Sequence, residues 1–204
     1  MKAETLIAYI DGFNLYYGLR DKGWRQYYWM DIDKLCLNLL KKNQYLKTVY
    51  YFTSRIKGNP NKQRRQSTFL EALKVIGVTP LRGKYRINPF ECNKCHYNHE
   101  IPTEKMTDVS IAVQILIDAY ENNYDTALLV SGDTDLIPAV KAVKRLFHDK
   151  KVIMAFPPAR YCSEFEGIAD GCMVINERIC RKSLLPDIVE RPDGFQLKRP
   201  TEWA

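Results

Sequence analysis

The sequence predicts an α/β domain built on a central, mainly parallel sheet, and three observations lead there. Short apolar runs alternate along the chain with amphipathic helical patterns, which is how a parallel sheet covered on both faces reads. At 204 residues the chain is long enough for one such domain with a small insertion. The stretch Asp125 to Val140, DTALLVSGDTDLIPAV, joins an apolar run (Ala127 to Val130) to a helical pattern through the turn Ser131-Gly132. That turn delivers Asp133 and Asp135 to the carboxyl end of a strand, where open parallel sheets bind ligands.

In chain order, Leu6 to Ile10 reads as a buried strand ending in Asp11-Gly12. Phe13 to Arg20 reads as a helical turn that Asn14 can cap, and Trp24 to Met30 is aromatic and irregular. Asp31 to Lys42 is a predicted helix with Asp31 as N-cap and Ile32, Leu35, Leu39 and Leu40 on one face. Leu46 to Thr53 has strand chemistry, and Pro60 opens a helix running to Ile76, stopped by Gly77. Val78 to Ile87 alternates as a strand that sets Arg82, Lys84 and Arg86 on one face. Asn88 to Thr103, with its prolines, cysteines and histidines, reads as an inserted loop. An apolar helix from Met106 to Glu121, the Asp125 strand and a helix to Phe147 follow. Lys151 to Phe156 is a strand stopped by Pro157-Pro158, Arg160 to Ala169 a helical segment, and Cys172 to Ile175 a last strand. The domain is expected to span 1–185, and the polar residues 186–204 to form a tail.

Composition narrows the function. The apolar content is 46%, the charged content 27% and the net charge +7, a soluble globular profile that suits a polyanionic partner. No apolar run approaches the ~18 residues that span a membrane. The N-terminus reads as a first strand rather than a signal peptide, so a cytoplasmic protein with reduced cysteines is expected. Neither G-x-G-x-x-G nor G-x-x-x-x-G-K-[ST] occurs, so nucleotide-cradling readings have no support.

The carboxylates carry the chemistry, each against a plainer reading. Asp11 could make an Asp-Gly hairpin turn, but no second strand follows at once, and the preceding apolar run makes it a cleft residue. Asn14 is either a helix cap or an amide that orients a ligand group. Asp108 sits in the first turn of its helix, favourable there by about 0.3–1 kcal/mol, yet Ile111, Ala112 and Ile115 place it along an inward stripe. Glu104 shares that face if the helix begins near Pro102. One of Asp133 and Asp135 can cap the next helix, but one helix has one N-cap. Asp118, Glu121 and Asp125 read as solvated or turn residues. Acids from three strand ends or helix starts converge at one edge of a parallel sheet. Oxygen-only ligands of this kind suit Mg²⁺ or Mn²⁺, which can activate water and stabilise a phosphodiester under in-line attack. His96, His99 and His148 stand beside none of these positions in the sequence, so no Ser-His-Asp or Cys-His arrangement competes.

These residues give the chain a resemblance. YIDGFNLYYG, with Asp11 and Asn14; EKMTDV, with Glu104, Lys105 and Asp108; and LLVSGDTDLIPAVK, with Ser131, Asp133 and Asp135, are similar to the NYN domain family (LabA-like). That family belongs to the PIN-like ribonuclease superfamily. PPARYCSEFEGIADGCMVI resembles its last helix and strand, so the likeness covers roughly residues 5 to 176. It implies a three-layer α/β/α fold and a metal-dependent endoribonuclease leaving a 5′-phosphate on mainly single-stranded RNA. By position, Asp11, Asp108 and Asp133 would be metal-directed, Asp135 a supporting acid, and Asn14 and Ser131 orienting groups. Met106-Thr107 departs from the family's glycine and apolar residue. Members differ in whether activity is retained, so the alternative is a silent RNA-binding or protein-interaction module of the same fold, with room for a homodimer. A TOPRIM-like or phosphatase reading of Asp133-x-Asp135 ranks last, because the TOPRIM pattern needs a glutamate where Asp11 stands.

Two further features need placing. Cys92-x-x-Cys95 has zinc-knuckle spacing, with His99 beyond it and His96 less well placed, and a further ligand could come from Cys162 or Cys172. Zn²⁺ is the expected occupant; a redox dithiol, plain buried thiols, or a c-type haem site that would require export, are the competing readings. Arg55, Lys57, Lys62, Arg64 and Arg65 form a basic run which, with Arg82, Lys84 and Lys105, offers contacts for phosphate or merely a solvated face. Tyr16, Tyr17, Trp24, Tyr27, Tyr28 and Trp29 either stack unpaired bases or pack the core.

Overall fold

The first apolar run forms the middle of the sheet, and its alternation feeds two cores. The computed structural model describes residues 3–203 apart from 92–97, and within 84–105 the backbone alone. In chain order the elements are β1 (Glu4–Asp11), α1 (Gly12–Asp21), α2 (Ile32–Leu39), β2 (Gln44–Ser54), α3 (Pro60–Val75), β3 (Thr79–Glu91) and β4 (Asn98–Lys105). Then come α4 (Thr107–Tyr120), β5 (Thr126–Val130), α5 (Ile137–Leu146), β6 (Lys151–Phe156), β7 (Gly171–Val174), α6 (Glu177–Lys182), β8 (Ile188–Glu190) and β9 (Gln196–Lys198). On β1, Leu6, Ala8 and Ile10 join Leu15, Leu35 and Leu73 from α1, α2 and α3. Ile7 and Tyr9 point the other way, into a cluster with Ile111, Ile115 and Val140 from α4 and α5. A strand's period of two thus sorts one run into both faces, and the expected three-layer α/β/α arrangement follows.

The sheet order is β4-β3-β2-β1-β5-β6-β7. Every pairing is parallel except β3 with β4. Residues 79–83 of β3 pair with β2, ending at Ser54 opposite Gly83. From Lys84 opposite Lys105 to Glu91 opposite Asn98, β3 pairs with β4 instead. At about 3.3 Å per residue this two-stranded arm extends roughly 25 Å past the carboxyl edge of β2. Within the region expected to be an inserted loop, 88–103, residues 88–91 and 98–103 are therefore paired strands, and Pro89 and Pro102 are tolerated on the two strands of a ribbon. Its return brings the chain back to the carboxyl edge, where α4 begins.

Other expectations need correction. Asp11, not Asn14, caps α1: its Oδ1 accepts the Asn14 N–H at 3.0 Å. Asp31 caps α2 as expected. Of the helix expected over 160–169, only the 3₁₀ turn Ser163–Phe165 forms, whereas α6, not foreseen, follows the N-cap Asn176. Beyond Pro186 the chain is not loose. β8 and β9 form an antiparallel hairpin whose Val189 and Leu197 are buried, and the Trp29 indole N–H donates to the Pro186 carbonyl at 2.8 Å. One apolar residue per short strand is too little pattern to announce it.

Asp118, read as solvated, is 2% exposed. It accepts from the Tyr9 hydroxyl (2.7 Å), the Gln114 amide (3.1 Å) and the Asn123 amide (3.1 Å), which satisfy it in the core. Burial, and secondarily Asp118, hold the phenols of Tyr9 and Tyr124 well above the ordinary value of 10.0; burial, then Asp11, does so for Tyr51. Below pH 10 both folded and unfolded chains keep these protons, and stability does not depend on them. Above it the unfolded chain ionises first, so stability is expected to fall by up to ~1.4 kcal/mol per pH unit for each tyrosine. Urea midpoints measured from about pH 9 to about pH 11, beside tyrosinate absorbance, check this. A flat midpoint across that window contradicts it.

Candidate active site

In this sheet β1 leads to β2 on one side and β5 to β6 on the other, so the connections diverge between β1 and β5. A crevice opens at the carboxyl ends of strands at such a point. Asp11 ends β1 there, 4% exposed, and Ser131-Gly132-Asp133 follow β5. Both strand-end acids cap what comes next: Asp11 caps α1, and Asp133 Oδ1 accepts the Asp135 N–H at 3.0 Å, starting the 3₁₀ turn Thr134–Leu136 before α5. Capping and ion binding do not compete, because each carboxylate oxygen keeps a second lone pair.

Ser131 ties the two ends together. Its hydroxyl, fully buried, donates to Asp11 Oδ2 at 3.0 Å and accepts the Asp133 N–H at 3.1 Å. Asn14 adds a second tie, its Oδ1 accepting the Gly132 N–H at 3.0 Å. The third acid arrives on the helix that the β3–β4 arm returns to the edge. Buried Thr107 lies with its hydroxyl 3.3 Å from that of Ser54, at the end of β2, and Asp108 follows in the first turn of α4. One carboxylate oxygen from each of Asp11, Asp108 and Asp133 lies within 4.8 Å of the others. Charges so close repel by roughly 3–4 kcal/mol per pair at an effective dielectric of 20, and a divalent cation reverses that sign. An all-oxygen trio of half-buried and buried carboxylates fits a hard cation such as Mg²⁺ or Mn²⁺. Asp135 is exposed and lies outside the trio.

The α4 entry is strained. Met106 adopts φ 87°, in the left-handed region, with its side chain 52% exposed. A left-handed conformation costs an L-residue about 1–2 kcal/mol. Met106→Gly is expected to stabilise the protein by about 1 kcal/mol, net of the entropy glycine adds to the unfolded chain, with Asp108 kept in place. Chemical denaturation of the two proteins measures it.

The basic residues divide. Arg55, Lys62 and Arg64 are exposed beyond the end of β2 and at the start of α3. Arg82 is exposed and stands in register with Thr53 at the same carboxyl edge. Arg65 is ion-paired to Glu202 at 2.5 Å. The side chains of Lys84, Glu104 and Lys105 lie outside the described residues, as do Cys92, Cys95 and His96; His99 is described only as a backbone position opposite Phe90. Cys172 lies on β7, at the other edge of the sheet, about 24 Å from β3 at the usual strand spacing. Cys162 sits on the β6–β7 connection, packed with the α4–α5 cluster. Both are free thiols.

Three groups escaped the sequence reading. Ser54 and Thr107 anchor α4, and nothing in their local pattern announces it. The segment Pro157–Arg160 presses against the site from behind: a Cβ on Gly132 would lie 2.0 Å from the Arg160 carbonyl oxygen, and one on Gly18 2.5 Å from that of Pro158. The glycine in Ser131-Gly132 was a visible signal, but the wedge it accommodates lies far along the chain.

The NYN domain family model matches residues 6–175. The chain is 27% identical over 175 residues to 6-hydroxy-3-succinoylpyridine 3-monooxygenase HspA of Pseudomonas putida, covering 67% of this chain and 54% of that protein, so it spans about half of that relative's length. It also superposes on the crystal structure of a protein of unknown function from Vibrio parahaemolyticus, with a TM-score of 0.59, 20% identity, and coverage of 90% of this chain and 98% of the other.

Proposed function

Because the chain belongs to the NYN domain family, within the PIN-like nuclease superfamily, we propose that it is a divalent-metal-dependent endoribonuclease acting mainly on single-stranded RNA. The observation that carries the reading is the convergence of Asp11, Asp108 and Asp133 within 4.8 Å at the divergence point of the sheet. These three would hold Mg²⁺ or Mn²⁺, which when bound supplies an activated water and charge neutralisation at phosphorus. Ser131 and the Asn14 N–H fix both oxygens of Asp11, so its lone pairs are aimed before substrate arrives. Asn14 holds the Gly132 backbone and with it the approach of Asp133. Exposed Asp135 is a supporting acid at the rim. Arg55, Lys62, Arg64 and Arg82 border the same edge and suit a phosphate backbone, as the net charge of +7 does. Zinc in the Cys92/Cys95/His96/His99 insertion is part of the proposal, and about one zinc per purified chain is expected. The monooxygenase activity in the relative's name stays with that protein, of which this chain spans only 54%.

The test is labelled single-stranded RNA incubated with Mn²⁺ and the wild-type or Asp133→Asn protein. Cleavage by wild type and loss in the variant is the expected pair of results. Cleavage by both alike marks a contaminant, and binding without cleavage overturns the catalytic reading in favour of the silent module.

A further inference from the structure

Next to Asp11, on the α1–α3 side of the sheet, aromatic side chains surround a cleft of about 100 Å³ that the acids do not use. Gly12 contributes to its lining, so it begins one residue from the acid site. Its deeper walls are the buried Leu19, Met30 and Phe69. Nearer the surface stand Tyr16, Tyr28 and Trp203, each half-buried. Tyr16 and Tyr28 have ring centroids 4.9 Å apart; Trp203 meets Tyr28 edge-on at 5.9 Å and Phe69 at 6.0 Å. Lys62 and Arg65 are the charged residues of the lining, beside the polar Thr53 and Gln66. Arg65 is held by Glu202, a carboxylate on the same short turn, Thr201–Trp203, that supplies the tryptophan.

The chemistry of the walls selects an occupant. Rings set around a gap suit a flat π-surface, or a cation over their faces. Lys62 repels a cation and attracts an anion, and Arg65 does the same once Glu202 yields its place, so the matching ligand is an aromatic ring with a negative group beside it. A single RNA strand presents that pair at every nucleotide. Resting on the ribonuclease reading above, we propose that the cleft receives one unstacked base of the bound strand, its adjoining phosphate replacing Glu202 on Arg65 and meeting Lys62. The exchange trades one carboxylate for one phosphate at Arg65, so no buried charge is left unpaired. Because Gly12 joins the cleft to Asp11, the held base sits at a fixed offset from the cut bond, and the protein reads the presence of a base there without reading its identity.

An abasic scan tests this. A single-stranded oligoribonucleotide carrying one abasic nucleotide, moved position by position, is assayed with Mn²⁺ for kcat/KM. One position at a constant offset from the cut is expected to cost about tenfold, within the range of base–aromatic stacking. In Tyr16→Ala that position's penalty shrinks severalfold while the other positions keep theirs, and Tyr16→Phe restores it; a variant that merely loosens the fold would lower all positions together. Glu202→Gln, which frees Arg65, is expected to lower KM severalfold with kcat unchanged. Equal cost at every position, or a penalty unaltered in Tyr16→Ala, overturns the pocket and leaves the nuclease standing. If wild type cuts no RNA, the ribonuclease reading falls, and adenosine and uridine 5′-monophosphates titrated against tryptophan fluorescence decide the pocket alone. Quenching that vanishes in Trp203→Phe supports it; no quenching overturns it.

Discussion

Asparagine at position 11 is expected to remove RNA cleavage by about a thousandfold or more while leaving the protein as stable as before, or more so. The reasoning separates two jobs that Asp11 performs at once. As N-cap of α1 it needs only an oxygen to accept the Asn14 N–H, and asparagine caps as well as aspartate. Toward Ser131 the new amide donates where the carboxylate accepted, and the serine hydroxyl can rotate to suit, since its oxygen accepts and its proton turns away. What asparagine cannot supply is the charge. With two carboxylates instead of three within 4.8 Å, the pull on a divalent cation drops, and so does the mutual repulsion in the cation-free protein. Two measurements with opposite signs follow. Single-turnover cleavage collapses. Thermal unfolding without metal rises or holds, while the gain on adding Mn²⁺, about 2.7 kcal/mol for wild type at a hundred times Kd, shrinks toward zero. A variant that keeps the full manganese-induced gain shows that Asp11 holds no metal. One that unfolds shows instead that the cap was the dominant role.

How far the sequence carried this differs from element to element. Apolar period and strand-end position found Asp11 and Asp133, because both signals are local: a run of β-forming residues, then a small-residue turn. Asp108 was legible only as an acid on an inward helix face; that it reaches the other two depends on an arm of β3 and β4 that returns the chain to the sheet edge. That arm is hidden because the prolines, cysteines and histidines of 88–103 read as loop. Asp118 misled for the opposite reason. It looks like any polar residue near a helix end, and its burial is made tolerable by Tyr9, distant in the chain, together with Gln114 and Asn123. In the sequence Asn14 reads as cap or orienting group alike, and the structure gives the cap to Asp11 and a backbone tie to Asn14. The C-terminal hairpin and Trp203 were missed altogether, since single apolar residues in a polar stretch carry no period.

Gly132→Ala is the second large effect, and it tests whether the site is braced from behind. The new methyl would start 2.0 Å from the Arg160 carbonyl oxygen, a backbone atom that cannot swing aside as a side-chain tip could. Nor can its segment retreat easily. Pro157 and Pro158 are buried, the Arg160 N–H closes a turn on the Pro157 carbonyl at 3.0 Å, Ala159 is already left-handed at φ 57°, and the Pro158 carbonyl is pressed against Gly18 of α1. The strain therefore passes to the Ser131–Asp133 turn, which holds the tie to Asp11 on one side and the Gly132 N–H to Asn14 on the other. Overpacking of this kind costs about 1–3 kcal/mol, and loss of alignment among the acids is expected to lower cleavage at least a hundredfold beyond it. Gly23→Ala supplies the control: its φ is 72°, nothing lies within 4 Å of the added carbon, and the site is elsewhere. That substitution is expected to cost about 1 kcal/mol and leave cleavage untouched. If both alanines cost the same stability and neither alters cleavage, the wedge of Pro157–Arg160 supports the fold but not the geometry of the acids.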